Sequence, residues 1–143
     1  MHATSKHWLG LGAFGLVCAT AAAQPVTEAV DPAMIRARDW LQQLDRGEFE
    51  TALQSADERL AKRGLEKFSA EVQKARRGEA VPACRTGLYV EVLNDGAEAS
   101  FVARYASGRV VERVTLRYDR QDQLHPSDYK ITGSVPKDNK DCS

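Results

Sequence analysis

Between Gly87 and Tyr118, apolar and polar positions alternate with period two, the pattern of strands that bury one face. Leu88, Val90 and Val92 interleave with Tyr89 and Glu91. Asn94-Asp95-Gly96 then supplies a turn, because Asp-Gly tolerates the positive φ of a tight hairpin, and Ala99 to Tyr105 can return along the first strand. Ser107-Gly108 repeats the device. After it, Val110, Val114, Leu116 and Tyr118 share one face while Val111, Arg113, Thr115 and Arg117 share the other. A sheet that is apolar on one side needs a cover.

The cover is upstream, where the apolar period changes to that of a helix. Asp31-Pro32-Ala33 reads as a helix start, with Asp31 able to cap free N–H groups and Pro32 in a first-turn position. Ile35, Trp40, Leu41 and Leu44 form a stripe running to about Asp45, and Arg46-Gly47 carries the stop. A second helix is expected from Glu48, with Phe49, Leu53, Ala56 and Leu60 on one face. Gly64 interrupts it. Leu65, Phe68, Val72 and Ala75 carry a third piece to Arg77, which Gly78 closes. Glu79 to Thr86 reads as a linker, since Pro82 blocks helix continuation. The polar run after Tyr118 reads as a long turn leading to a fourth strand from Tyr129 to Gly133. Helices first and strands afterwards predict an α+β fold, with N-terminal helices on one face of an antiparallel sheet of three to four strands.

The N-terminus changes the expected compartment. Lys6, an apolar run from Trp8 to Ala19, and Ala21 and Ala23 before Gln24 give residues 1–23 the features of a secretory signal peptide, too short to span a bilayer. Residues 24–30 then form a flexible leader, 31–133 a single domain and 134–143 a polar tail. A lipid anchor is not expected, because lipid attachment needs a small residue before the modified cysteine and Cys18 follows Val17. Export predicts a periplasmic protein. Cleavage leaves Cys84 and Cys142, an even pair in an oxidising compartment, for which a disulfide is the leading reading. The rival reading is a reactive Cys84 thiolate favoured by Arg85. Lys plus Arg and Asp plus Glu both number 20, so no net field recruits nucleic acid or an anionic membrane.

Trp40-Leu41, Leu44-Asp45, Gly47 and Phe49, the Cys84-Arg85 junction, the strands YVEV, ASFVARY and VVERVTLRYD, and finally YKITG together resemble the bacterial family called domain of unknown function 4019. The resemblance spans about Ala33 to Gly133. It implies a small exported protein whose helices pack on a curved antiparallel sheet, in the manner of cystatin-like or nuclear-transport-factor-like folds, and it implies no activity. Leu53, where an aromatic residue is expected, and the His125-Pro126-Ser127 approach to the last strand depart from the pattern.

Candidate chemistry is sparse. His125 is the one histidine left after cleavage, and a metal site would need Asp122 and Asp128 to converge on it; structural zinc normally takes four Cys or His ligands. Glu112 lies on the Val110-Val114-Leu116 face, which would bury a charge unless Arg104 or Arg113 approaches or the strand end is wet. Glu91 and Glu112 are the exceptions among carboxylates that fall mostly on predicted solvent faces; for Glu112 a salt bridge or sheet-edge position is the leading reading over catalysis, and a Gly-x-Ser-x-Gly elbow is missing. No catalytic residue, cofactor or metal is therefore expected. Arg104, Arg109, Arg113 and Arg117, with Tyr89, Tyr105 and Tyr118, form the candidate surface for a protein partner; the rival reading is a solvated face. That leads to a non-enzymatic protein-binding module, concretely an immunity protein against an envelope-acting toxin, with homo-oligomerisation left open. The alternative is a small-ligand carrier whose pocket between helices and sheet is lined by Trp40, Phe49, Phe68, Phe101 and Tyr129.

Overall fold

The structure, a computed structural model, describes residues 31–135. Among them, four helices, α1 (Pro32–Asp45), α2 (Phe49–Gln54), α3 (Glu58–Ala61) and α4 (Leu65–Ala75), precede four strands, β1 (Cys84–Leu93), β2 (Gly96–Tyr105), β3 (Gly108–Tyr118) and β4 (Leu124–Thr132). The strands form one antiparallel sheet in the order β1-β2-β3-β4, each hairpin partner adjacent in sequence. This is the α+β arrangement expected from the segregation of the two periodicities.

The start of α1 is the expected one. The Asp31 carboxylate accepts from the Ala33 N–H at 2.8 Å, and Pro32 follows it. Gly47 ends the segment with φ +71°, a conformation that a side chain would strain. The inward stripe is Ala33, Met34, Ala37, Trp40, Leu41 and Leu44; Ile35 is exposed, a correction of one helical position. The single helix expected from Glu48 is two. Asp57 turns out of the helical path, accepts from the Arg59 N–H at 2.7 Å and donates its own N–H to the Pro126 carbonyl at 2.7 Å. A capping Asp inside an apolar period ended the first helix and began the next.

The strands also extend beyond their expected ends. β1 begins at Cys84, with a register shift between Gly87 and Tyr89, and β4 begins at Leu124, so His125-Pro126-Ser127 lies within a strand rather than a turn. Pro126 sits on the edge strand, where a missing donor is tolerated. Between helices and sheet, Trp40, Leu41, Leu44, Leu60, Phe68 and Val72 meet Ala97, Ala99, Phe101, Val114 and Leu116 in one core. Trp40 stands 5.9 Å from Phe68 and 6.1 Å from Tyr129 by ring centroids, and its indole N–H donates to the Ala52 carbonyl at 2.9 Å.

Candidate functional site

Two regions carry concentrated polar chemistry, one on each face of the sheet. On the helix face, strand alternation places Glu112 among the core residues, fully buried. Arg85 on β1 answers it, with Nε at 2.5 Å from Oε2 and Nη2 at 3.3 Å from Oε1. The hydroxyls of Tyr105 and Tyr129 donate to Oε1 at 2.7 and 2.6 Å. Asp45, the last residue of α1, receives Arg85 at 2.7 and 3.0 Å and Arg76 at 2.9 Å. Arg76, just past α4, also donates to the Tyr129 oxygen at 3.1 Å and the Ala80 carbonyl at 2.7 Å. Its guanidinium carbon lies 5.6 and 5.9 Å from the rings of Tyr129 and Tyr105. With the two tyrosines, two cations and two carboxylates close the network, tying the ends of α1 and α4 to all four strands.

The electrostatics follow from burial. Burial pushes the Tyr105 and Tyr129 phenols up, and the neighbouring Glu112 charge pushes the same way. For Arg85, burial disfavours the cation, but hydrogen bonds to Asp45 and Glu112 outweigh it and raise the guanidinium further. Arg76 is raised likewise, with Tyr129, Glu112 and Tyr105 opposing the burial. Such groups hold their protonation at neutral pH, which suits a structural pin better than a proton shuttle. Sequence reasoning flagged Glu112 but not its partners. The expected Arg104 or Arg113 faces the other way, and the signal that could have found Arg85 was its place one residue after Cys84, on the inward parity of β1.

The opposite face holds most of the predicted partner surface. Arg104 and Arg109 stand on one cross-strand rung, Arg113 faces Ser100 and Arg117 faces Gly96. Tyr89, 47% exposed, pairs with Ser100 and joins them. Tyr105 does not: it is buried on the helix face against Glu112, so its place in the surface is corrected. Tyr118 is exposed at the end of β3. Arg117 is ion-paired with Asp95 and Arg113 lies 3.9 Å from Glu98.

His125 Nε2 lies 2.7 Å from the Asp119 carboxylate and Nδ1 3.2 Å from the Ser55 carbonyl, while Asp128 pairs with Arg63 at 3.2 Å. The His125, Asp122 and Asp128 constellation is therefore not assembled, and no cluster of metal-ligating residues occurs among the described residues. No described helix is long and apolar enough to cross a membrane. Cys84 opens β1, and Cys142, like the signal peptide and leader, lies outside the described residues. Of the residues expected to line a pocket, Trp40, Phe68 and Phe101 are buried core and Tyr129 packs against it, while Phe49 lines a cavity of about 360 Å³ at the helical edge with Leu44, Val72, Gln73, Arg76 and Ala80. Comparison of the chain with protein-family models, curated proteins and solved structures finds no match.

Proposed function

We propose that this is a non-enzymatic periplasmic protein-binding module, with an immunity protein for an envelope-acting toxin as its concrete form. The observation that carries the reading is β1. It is a ten-residue edge strand whose outer side meets no other strand among the described residues, and Val92 and Tyr89 on it are 84% and 47% exposed. A long edge strand with exposed apolar side chains is a template for pairing with another chain, main-chain groups supplying affinity and alternate side chains specificity. Arg113 and Arg117 stand two strands away, on the rungs of Tyr89 and Leu93, and suit a partner rich in carboxylates. Export through residues 1–23, a Cys84–Cys142 disulfide and the resemblance to domain of unknown function 4019 belong to the same proposal and support its compartment.

Affinity capture from the native envelope fraction, with the chain from Gln24 as bait, tests it against a Val92→Lys variant. A single stoichiometric envelope partner lost with the added edge charge is the expected result. Capture of nothing, or capture indifferent to Val92→Lys, overturns the reading. The carrier alternative is favoured by the cavity beside Phe49 and Val72, displaced from the expected wall; native mass spectrometry of the protein purified from its source would show a bound small molecule.

A further inference from the structure

The two edges of the sheet differ. On β4, the Leu124 carbonyl accepts from Arg36 Nε at 3.2 Å, the Pro126 carbonyl accepts from the Asp57 N–H at 2.7 Å, and the Tyr129 N–H donates to the Asp128 carboxylate at 2.9 Å. Pro126 itself has no N–H to offer, so helices, a proline and a side chain blunt that edge against another chain. On β1, no described helix or loop bonds to the backbone between Arg85 and Leu93. A stripe of α1 lies over it instead. Met34, Arg38, Gln42 and Asp45 recur at helical spacing, and a Cβ on Gly87 would lie 2.9 Å from Met34 Sδ and 3.5 Å from Arg38 Nη2. The later part of this stripe and the start of β1 enclose a cavity of about 220 Å³, lined by Arg38, Gln42, Asp45, Pro82, Cys84 and Arg85. Asp45 and Arg85 are committed to the inner network. Arg38 is exposed and has no ion-pair or hydrogen-bond partner among the described residues.

We propose, building on the binding-module reading, that the groove between β1 and the Arg38 flank of α1 takes an extended acidic segment of a partner protein, added to the sheet as a further strand with one carboxylate set against Arg38. A strand added about 4.8 Å from β1 bonds to the main-chain groups that β1 leaves open, and its side chains alternate between the two faces. The residue opposite Gly87 points to the helix side, because Gly87 pairs with Phe101 and Phe101 belongs to the core. There it meets Arg38, whose guanidinium stands beside Gly87, and a carboxylate in that place matches the guanidinium fork. A lysine there would meet like charge. Residues of the other parity face Thr86 and Tyr89, which are exposed and uncharged and make no such demand. A second copy of β1 is a poor occupant. Its one carboxylate, Glu91, pairs with Glu98 on the open face, the wrong parity for Arg38.

A random-peptide library displayed on phage and panned on the chain from Gln24 supplies the probe. Enrichment of aspartate or glutamate at one position of a β-prone run is expected, and the enriched peptides should shift the backbone amide NMR signals of Arg85 to Leu93. Arg38→Glu, an exposed helix position whose substitution should leave the circular dichroism unchanged, is expected to weaken these peptides by about tenfold or more. Lysine in place of the peptide's acid should restore binding to that variant. Enrichment without an acidic position, binding indifferent to Arg38→Glu, or no enriched peptide overturns the acidic strand. So does a dimer of the purified chain in sedimentation that Val92→Lys dissociates, which gives the edge to a second copy. An envelope partner lost with Val92→Lys but kept with Arg38→Glu would leave the binding module standing and remove the acidic strand; acid-bearing peptides on β1 without any envelope partner would do the reverse.

Discussion

On the helix face of the sheet, Glu112 meets two tyrosine hydroxyls and Arg85 within 3.3 Å, and each of its arginine neighbours finds Asp45 as well. On the open face, Arg113 is 40% exposed and reaches the Glu98 carboxylate only at 3.9 Å. The difference is one of dielectric. A charge sealed under helices costs several kcal/mol of desolvation unless paired to completion, whereas a charge on a wet face can be left loosely matched and so remain available for recognition. The inner network therefore belongs to stability, and the outer stripe is where the proposed binding would act.

The sharpest way to break that contrast is Arg85→Ala. It leaves Arg76 as the one cation shared by the buried Glu112 and Asp45 in this network, and urea denaturation should show a loss of about 3–5 kcal/mol. A loss below about 1 kcal/mol would mean that water reaches the network and that the two faces do not differ in kind. Next in size is Gly96→Ala at the first hairpin. A Cβ there would lie 1.8 Å from the Leu116 carbonyl oxygen, a backbone atom that cannot swing away, so the register between β2 and β3 must give. A destabilisation of about 1–3 kcal/mol is expected.

Alkaline titration separates the faces by a different lever. Tyr105 and Tyr129 hold their protons above the ordinary phenol value of 10.0, through burial first and Glu112 second. Their folded-state values are raised, so their contribution to stability is complete below that pH and is lost as the unfolded chain deprotonates above it. Each hydroxyl should steepen the decline by up to about 1.4 kcal/mol per pH unit. Denaturation curves above pH 10 for the protein and for Tyr105→Phe/Tyr129→Phe check this, and equal slopes would refute it.

What the sequence shows of this molecule divides along the same line. The hairpins, the Asp31 cap and the outward parity of Arg104, Arg113 and Arg117 are local, set by turn chemistry and period two, and they match the structure. Asp57 was hidden because its cap competes with an uninterrupted apolar period, and the first half of β4 because His125-Pro126-Ser127 looks like a turn when its edge position is unknown, although the strand from Tyr129 was legible. The inner network joins residues 45, 76, 85, 105, 112 and 129, so only its anomaly, a Glu on an apolar face, was legible.

Arg117→Ala should have the smallest effect. Arg117 pairs with Asp95 across the Asn94-Asp95-Gly96 turn, but both side chains meet solvent, where an ion pair gains little over hydration and salt screens it. The expected loss is about 0–1 kcal/mol, vanishing at high salt. If the outer stripe serves binding, the same substitution should lower recovery of the envelope partner while thermal unfolding barely moves. A variant that unfolds as readily as Arg85→Ala would place Arg117 with the stabilising charges, and the division between the two faces would fail at an ion pair open to solvent.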